Sequence, residues 1–126
     1  TTYYYIVKSI ARSDNTATST EKTFTTLVTP DTTAPVISNI VATPSATNTL
    51  IVWTTNENAT SEVKYADESL STATSTQTVS DSNFVTSHSL ELINLTASTT
   101  YYYILKSTDF SSNTASTTEA TFKTTD

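Results

Sequence analysis

The feature that most constrains this chain is an internal repeat. Residues 1–26 reappear as residues 99–124 at an offset of 98, with 17 of 26 positions identical and no gap. A self-match at a fixed period is typical of tandem arrays of small modules. The repeat predicts that the 126-residue chain holds the last part of one repeat followed by one complete repeat.

The second constraint is the alternation of apolar and polar residues along the chain, without helical spacing. Thr, Val, Ile and Tyr recur throughout, and these residue types favour pleated strands. Short strands separated by turn residues every 8–12 positions are typical of a β-sandwich, so we predict an all-β fold. The seven predicted strands cover residues 35–43, 49–55, 60–66, 75–79, 85–93, 99–108 and 114–124.

Alternate positions on each predicted strand belong to the same face, and the more apolar face is expected to form the core. His88 is in period with Leu90 and Leu92, so we expect a structural histidine on a strand rather than a catalytic one. The predicted core residues are Ile51, Trp53, Val63, Tyr65, Leu90, Leu92, Leu95, Tyr101, Tyr103, Leu105 and Phe122.

A tyrosine corner is indicated by Leu95, which lies six residues before the strand-opening Tyr101. Together with Trp53 on the second strand, this pattern resembles a fibronectin type III domain. The sequence is similar to a variety of this domain found in repetitive bacterial surface proteins and in the N-terminal accessory domain of purple acid phosphatases. The segments that carry the resemblance are residues 31–37 (DTTAPVI), 53–55 (WTT), 62–65 (EVKY), 86–90 (TSHSL) and 99–103 (TTYYY).

The resemblance implies a domain organisation. Residues 35–124 are expected to form a complete seven-stranded fibronectin-III/immunoglobulin-like sandwich, and residues 27–34 a linker. Residues 1–26 would be the C-terminal F–G hairpin of a preceding fibronectin-III-like repeat. A lone hairpin is marginally stable in water, so this one is expected to be disordered, to pack on a neighbouring chain or to be completed by further residues.

The chain contains no glycine, which bears on its turns. Turn positions with positive φ are then expected to fall to Asn and Asp, the other residue types that adopt this conformation at low cost. Asn15, Asn56, Asn58, Asn94 and Asn113 lie at predicted turns. Where the resembled family carries glycine around the corner and in the last hairpin, this chain has Asn94, Ser98 and Ser112.

Composition excludes several classes of partner. The net charge of −6 disfavours nucleic acid and anionic membrane surfaces, which both require basic patches. The absence of cysteine excludes disulfides and thiolate metal sites. No apolar run approaches the ~20 residues that cross a bilayer, so no membrane insertion is expected in this segment.

Candidate chemistry is sparse, and we predict no enzyme activity and no cofactor. The carboxylates of Glu57, Glu62 and the pair 67–68 are interpreted as solvated surface. A calcium site at the module junction is a weaker alternative, with Asp14, Asn15 and Asp31 as its candidate ligands because hard oxygen donors suit Ca²⁺. That set is not repeated, since the second hairpin has Asp109 where the first has Ala11.

An outward apolar surface is the remaining candidate site. It is more apolar than a solvated sheet requires, which indicates contacts with a partner, although ordinary cross-strand packing is the alternative interpretation. The predicted contact residues are Tyr4, Ile6, Leu50, Val52, Tyr102 and Ile104.

These observations favour a non-catalytic structural or adhesive module of an extracellular or cell-surface stalk or fibre in a prokaryote. Neighbouring repeats, identical subunits, or a cell-surface or glycan ligand are the expected partners, and self-assembly through the N-terminal hairpin and the edge strands is one form of the hypothesis. The alternative is an accessory spacer or glycan-binding module of a secreted hydrolase.

Overall fold

The structure is a computed structural model that describes all 126 residues and contains strands but no helix. The chain divides into two compact units, Thr1–Pro30 (unit 1) and Asp31–Asp126 (unit 2). The division falls inside the segment that the sequence predicts as a linker, residues 27–34. No helix is long and apolar enough to cross a membrane.

Unit 1 is a single antiparallel hairpin in which every residue is exposed to solvent. Its outer strands pair with each other, as do its inner strands, and the ring of Tyr3 stacks on that of Phe24 with centroids 5.3 Å apart. The hairpin therefore forms without a buried core of its own. Its strands are β1 (Thr2–Tyr5), β2 (Lys8–Ile10), β3 (Thr16–Thr18) and β4 (Lys22–Thr25).

Unit 2 has six strands in antiparallel pairs, and two of them are long. The strands are β5 (Ile37–Pro44), β6 (Thr49–Ala66), β7 (Gln77–Leu92), β8 (Thr100–Thr108), β9 (Thr114–Ser116) and β10 (Ala120–Lys123).

The register of these pairs resolves unit 2 into two layers of a sandwich. The first half of β6 pairs with β5 and with the end of β7, which makes the first layer. The second half of β6 pairs with the start of β7 and with β8, and β8 continues to β9 and β10, which makes the second layer. The register is irregular between Thr54 and Ser61, where β6 passes from one layer to the other.

The predicted all-β sandwich is confirmed, but the strand boundaries differ from the expectation. The predicted strands 49–55 and 60–66 are one continuous strand, β6, and the predicted strands 75–79 and 85–93 are both part of β7. The predicted last strand, 114–124, is divided into β9 and β10. The physical reason is that β6 continues through an irregular stretch in which Ala59 stays paired with Val85 between two register shifts, so the turn signal there marks a bend rather than an end.

A core lies between the two layers and is built by the alternating positions of β6, β7 and β8. Ile37, Ala42 and Val79 pack against it at its margin. The structure buries all eleven residues that the alternation assigns to the core: Ile51, Trp53, Val63, Tyr65, Leu90, Leu92, Leu95, Tyr101, Tyr103, Leu105 and Phe122.

A tyrosine corner closes the connection between β7 and β8. The backbone N–H of Thr96 donates a hydrogen bond to the hydroxyl of Tyr101 at 2.9 Å. Leu95, next to this amide, is buried in the core cluster. The corner thus holds the loop after β7 against the first residues of β8.

Five non-glycine residues have positive φ: Asp14, Asn39, Asn94, Ser98 and Ser112. The last three are the positions at which the resembled family carries glycine. The expectation that Asn and Asp would take every such position is wrong at Ser98 and Ser112, with φ of 55° and 70°. In the β8–β9 turn the residue with positive φ is Ser112, and not the predicted turn residue Asn113. The side chain of Asn113 donates a hydrogen bond to Asp109.

We expect Ser112→Gly to raise the free energy of unfolding of unit 2 by about 0.5–1 kcal/mol. An L-residue in the left-handed region costs roughly 1–2 kcal/mol, and the greater freedom of glycine in the unfolded chain offsets part of the gain. Urea denaturation measures the change. The matched control is Ser111→Gly, which lacks a positive φ and should lose about 0.5–1 kcal/mol; equal losses in both variants would contradict the prediction.

Candidate functional site

His88 lies in the interior of unit 2, on β7, directly opposite Trp53 of β6 in the strand register. The two rings are stacked, with centroids 4.9 Å apart and planes 6° from parallel. The ring nitrogens of His88 are hydrogen-bonded to two hydroxyls, Nε2 to Thr55 Oγ1 at 2.9 Å and Nδ1 to Ser61 Oγ at 2.8 Å. Burial lowers the pKa of His88, so the folded protein favours the neutral ring.

The contact between Ser61 and His88 has the atoms of a catalytic serine–histidine pair but not its setting. A nucleophilic serine must meet a substrate, and a third group, often a carboxylate, orients the histidine. Ser61 and His88 are only 3% and 2% exposed, and both ring nitrogens contact hydroxyls. We interpret this cluster as a satisfied polar part of the core.

A cluster of three carboxylates is the one group of side chains in unit 2 that has the composition of a metal site. Asp31 precedes β5, Glu57 lies at the bend of β6, and Asp109 follows β8. A carboxylate oxygen from each lies within 4.8 Å of those of the other two. Such oxygens are donors that Ca²⁺ accepts, although exposed acidic groups are also common without an ion.

Asn113 organises one side of the acidic cluster. Its backbone N–H and its side-chain Nδ2 both donate to the carboxylate of Asp109, each at 2.8 Å. Nδ2 also donates to the backbone carbonyl of Asp31 at 3.1 Å. These bonds anchor the buried Asp109 and the segment before β5 to the same turn.

The pKa values of Glu57 and Asp109 are shifted in opposite directions. Burial, followed by the charges of Asp31 and Asp109, raises the pKa of Glu57 above its ordinary 4.5. Burial also acts to raise the pKa of Asp109, but hydrogen bonds from Asn113 and from the backbone of Ser111 and Ser112 hold it below its ordinary 3.8. The neighbouring charges therefore disfavour the ionised form of Glu57, whereas hydrogen bonds favour that of Asp109.

One of these three residues, Asp31, is a calcium ligand predicted from the sequence. Asp31 is in the cluster, whereas the other two candidates, Asp14 and Asn15, belong to unit 1. Glu57 and Asp109 were missed because they are far from Asp31 in the sequence. The one signal available for Asp109 was that it replaces Ala11 of the first hairpin, and no signal in the sequence marked Glu57.

We expect Glu57→Gln to stabilise unit 2 at pH 7 in a buffer that contains EDTA. A raised folded-state pKa means that the folded protein binds the Glu57 proton more tightly, so the wild type loses stability as the pH rises from 4.5 through that pKa. The neutral amide removes this loss, and the advantage of the variant should shrink toward pH 4.5. Thermal denaturation at both pH values checks this; Glu68→Gln changes the net charge equally at an exposed position outside the cluster, and an equal gain from that control would contradict the explanation.

A polar cleft of about 310 Å³ lies beside the tyrosine corner, between Tyr65, Gln77, Asn94 and Tyr101. Its two tyrosine hydroxyls are already engaged, since Tyr65 donates to Gln77 Oε1 at 3.0 Å and Tyr101 accepts from the Thr96 amide. Asp67 is its one carboxylate. The cleft offers no nucleophile paired with a base.

Within unit 2, the residues predicted as a contact surface belong to two different layers. Tyr4 and Ile6 are exposed in unit 1. In unit 2, Leu50 and Val52 lie on the outer face of the first layer, opposite Thr43 and Val41 of β5.

On the second layer, Tyr102 and Ile104 are half-buried. Ile104 is paired with Lys64, and the next pair along, Glu62 and Lys106, forms a salt bridge at 3.8 Å. Because the two apolar pairs are on opposite layers of the sandwich, each is a small patch within a largely polar face.

Comparisons with known proteins place the fold but not a family. No protein-family model matches the chain, and no curated protein sequence matches it. Among solved structures, a myokine superposes with a TM-score of 0.61 at 16% identity, over 76% of this chain and all of that one. The FN1–FN3 domains of chicken CNTN1 superpose with a TM-score of 0.56 at 16% identity, over 87% of this chain and 36% of that one. The chain thus has a fibronectin type III-like fold.

Proposed function

We propose that this chain is a non-catalytic repeat module of an extracellular or cell-surface stalk or fibre in a prokaryote, with structural and adhesive roles. The observation that carries the proposal is the repetition of the last hairpin of unit 2 in unit 1 with the same register. Tyr3 pairs with Phe24 and Tyr101 pairs with Phe122, both at the repeat offset of 98.

The correspondence extends through both hairpins. Lys8 pairs with Thr18 as Lys106 pairs with Ser116. The hydroxyl of Ser19 accepts from the Val7 amide at 2.9 Å, as that of Thr117 accepts from the Leu105 amide at 3.0 Å. A chain that uses one local design twice is typical of arrays, in which modules extend, display or bind.

Mechanical resistance is the property that such a module needs. In unit 2 the buried polar side chains of the His88 cluster bind one another, and the apolar core is continuous between the layers. Opening the sandwich therefore exposes core residues and breaks internal hydrogen bonds in the same event. We expect unit 2 to unfold cooperatively under load.

Single-molecule force spectroscopy tests the proposal. The chain is held at its two ends, and unit 2 should unfold in one step. That step should lengthen the chain by about 300 Å, because an extended chain spans roughly 3.3–3.6 Å per residue over Asp31–Asp126. Gradual extension without a force peak would contradict a load-bearing role. Antibody labelling of intact source cells tests the location, and labelling confined to permeabilised cells would contradict a surface stalk.

The second candidate function is an accessory or glycan-binding module of a secreted hydrolase, and an exposed aromatic pair favours it. Phe84 and Phe110 have ring centroids 5.5 Å apart, and both rings are exposed. A glycan array tests this candidate: binding that Phe110→Ala abolishes supports a glycan-binding module, and no binding contradicts it.

A further inference from the structure

Unit 1 exposes an aromatic face that unit 2 buries. This unit 1 aromatic face consists of Tyr3, Tyr5, Val7 and Phe24, which are 50%, 45%, 55% and 54% exposed. The equivalent residues of unit 2, at the offset of 98, are only 8%, 5%, 0% and 7% exposed. They are Tyr101, Tyr103, Leu105 and Phe122. The same apolar design is thus a covered core in one unit and a solvated surface in the other.

We propose that the unit 1 aromatic face is a docking surface for strands equivalent to β5–β7, contributed by a preceding repeat of the same chain. The inference rests on the proposed function, because it requires an array. In unit 2 the equivalent face packs in one cluster with Ile51, Trp53 and Leu90 of the β5–β7 half. The complementary surface is therefore known from this molecule itself.

A source in the same chain is favoured over a second copy. In a second copy, the β5–β7 half is already covered by its own β8–β10, whose Tyr101, Tyr103 and Phe122 are buried. Exchange between copies releases one hairpin for each one that docks, so it gains no contact area. Strands joined to the hairpin by the chain also have the advantage of a high effective concentration.

Tyr3 has a specific role in this arrangement, as a corner tyrosine. Its equivalent, Tyr101, accepts a hydrogen bond from the amide of the residue five positions earlier, Thr96. The partner of Tyr3 is accordingly the amide five positions before it, in the connection that enters β1. This bond would fix the docked strands in the register that unit 2 shows.

The test is a chimera in which a copy of residues 31–98 is fused directly before Thr1. This fusion keeps the offset of 98 and supplies the missing half of the first sandwich. Hydrogen exchange should show the amides of β1 and β4 protected about a hundredfold or more over those of the 126-residue chain, because exchange then requires opening of a packed core. Tyr5→Ser in the chimera should abolish the protection, whereas Tyr4→Ser, on the outward side of β1, should retain it.

Each outcome decides the proposal. Absent protection, or protection that Tyr5→Ser leaves unchanged, overturns it. A second chimera also carries Val7→Leu and Ala11→Asp, the residues that unit 2 has at these positions. These changes correct a poor fit between the hairpin and the added strands. Absent protection of β1 and β4 in this second chimera also contradicts the docking. If the 126-residue chain alone forms oligomers that protect β1 and β4, the partner is a second copy and the same-chain source is wrong.

The proposed function is judged separately. The force experiment reads the unfolding of unit 2 alone, so it can succeed while the docking fails. The reverse result, a docked hairpin in a module without mechanical resistance, would reject the stalk and keep the interface.

Discussion

Replacing Trp53 by Ala is expected to lower the free energy of unfolding of unit 2 by about 3–5 kcal/mol, the usual cost of truncating a buried aromatic side chain. Trp53 is among the most buried residues of the core. Its removal leaves a cavity, takes away the ring that stacks on His88, and breaks the hydrogen bond from Nε1 to Ser107 Oγ at 3.1 Å. Since small domains are stable by only about 5–15 kcal/mol, the loss is a large fraction of the total.

Urea denaturation followed by circular dichroism measures this loss. Tryptophan fluorescence is not suitable, because the variant lacks the one tryptophan of the chain. Phe110→Ala is the matched control. It removes an aromatic ring that is 87% exposed, and the expected change is within about 0.5 kcal/mol. A Trp53 variant as stable as this control would show that the two layers do not share one core.

The second large effect is expected for Tyr101→Phe, which should cost about 1–2 kcal/mol. The substitution keeps the ring in the core and removes only the hydroxyl that accepts the bond from the Thr96 amide at 2.9 Å. A partly buried N–H is then left without its acceptor, and an unsatisfied buried group costs about 1–3 kcal/mol.

Tyr102→Phe is the control for the corner. Tyr102 is the next residue of β8, its side chain is half-buried on the outer face, and no hydrogen bond of its hydroxyl contributes to the corner. Thermal denaturation should therefore separate the two variants. Equal melting temperatures for both would mean that the Tyr101 hydroxyl does not support the loop after β7.

Alternation of residue types was sufficient to predict the faces of the strands. A strand has a side-chain period of two, so once Trp53 is assigned inward, Ile51 and Thr55 must be on the same side. The same alternation continues after the bulge of β6, because Val63 and Tyr65 are also buried. Strand ends were less predictable, because Asn56 and Asn58 give the same turn signal whether the chain ends a strand or bends within it.

The polar sites were not predictable from the sequence. Nothing in a Thr- and Ser-rich sequence marks Thr55 and Ser61, and only the fold places their hydroxyls at the two ring nitrogens of His88. The acidic cluster is a further case, since Asp31 precedes β5, Glu57 lies at the bend of β6 and Asp109 follows β8. No local pattern relates such residues.

By itself, the sequence determined the repeat of 98 residues, the all-β class and the residues that alternate toward the core. These depend on short-range periodicity, which is written directly in the order of the residues. The tertiary structure alone decided that β6 and β7 each cross between layers, that Ser98 and Ser112 adopt left-handed turns, and that one aromatic face is buried while its copy is exposed. Those outcomes depend on contacts between distant parts of the chain. Unit 1 shows this most directly, because nearly the same residues are exposed in a unit that consists of β1–β4 alone.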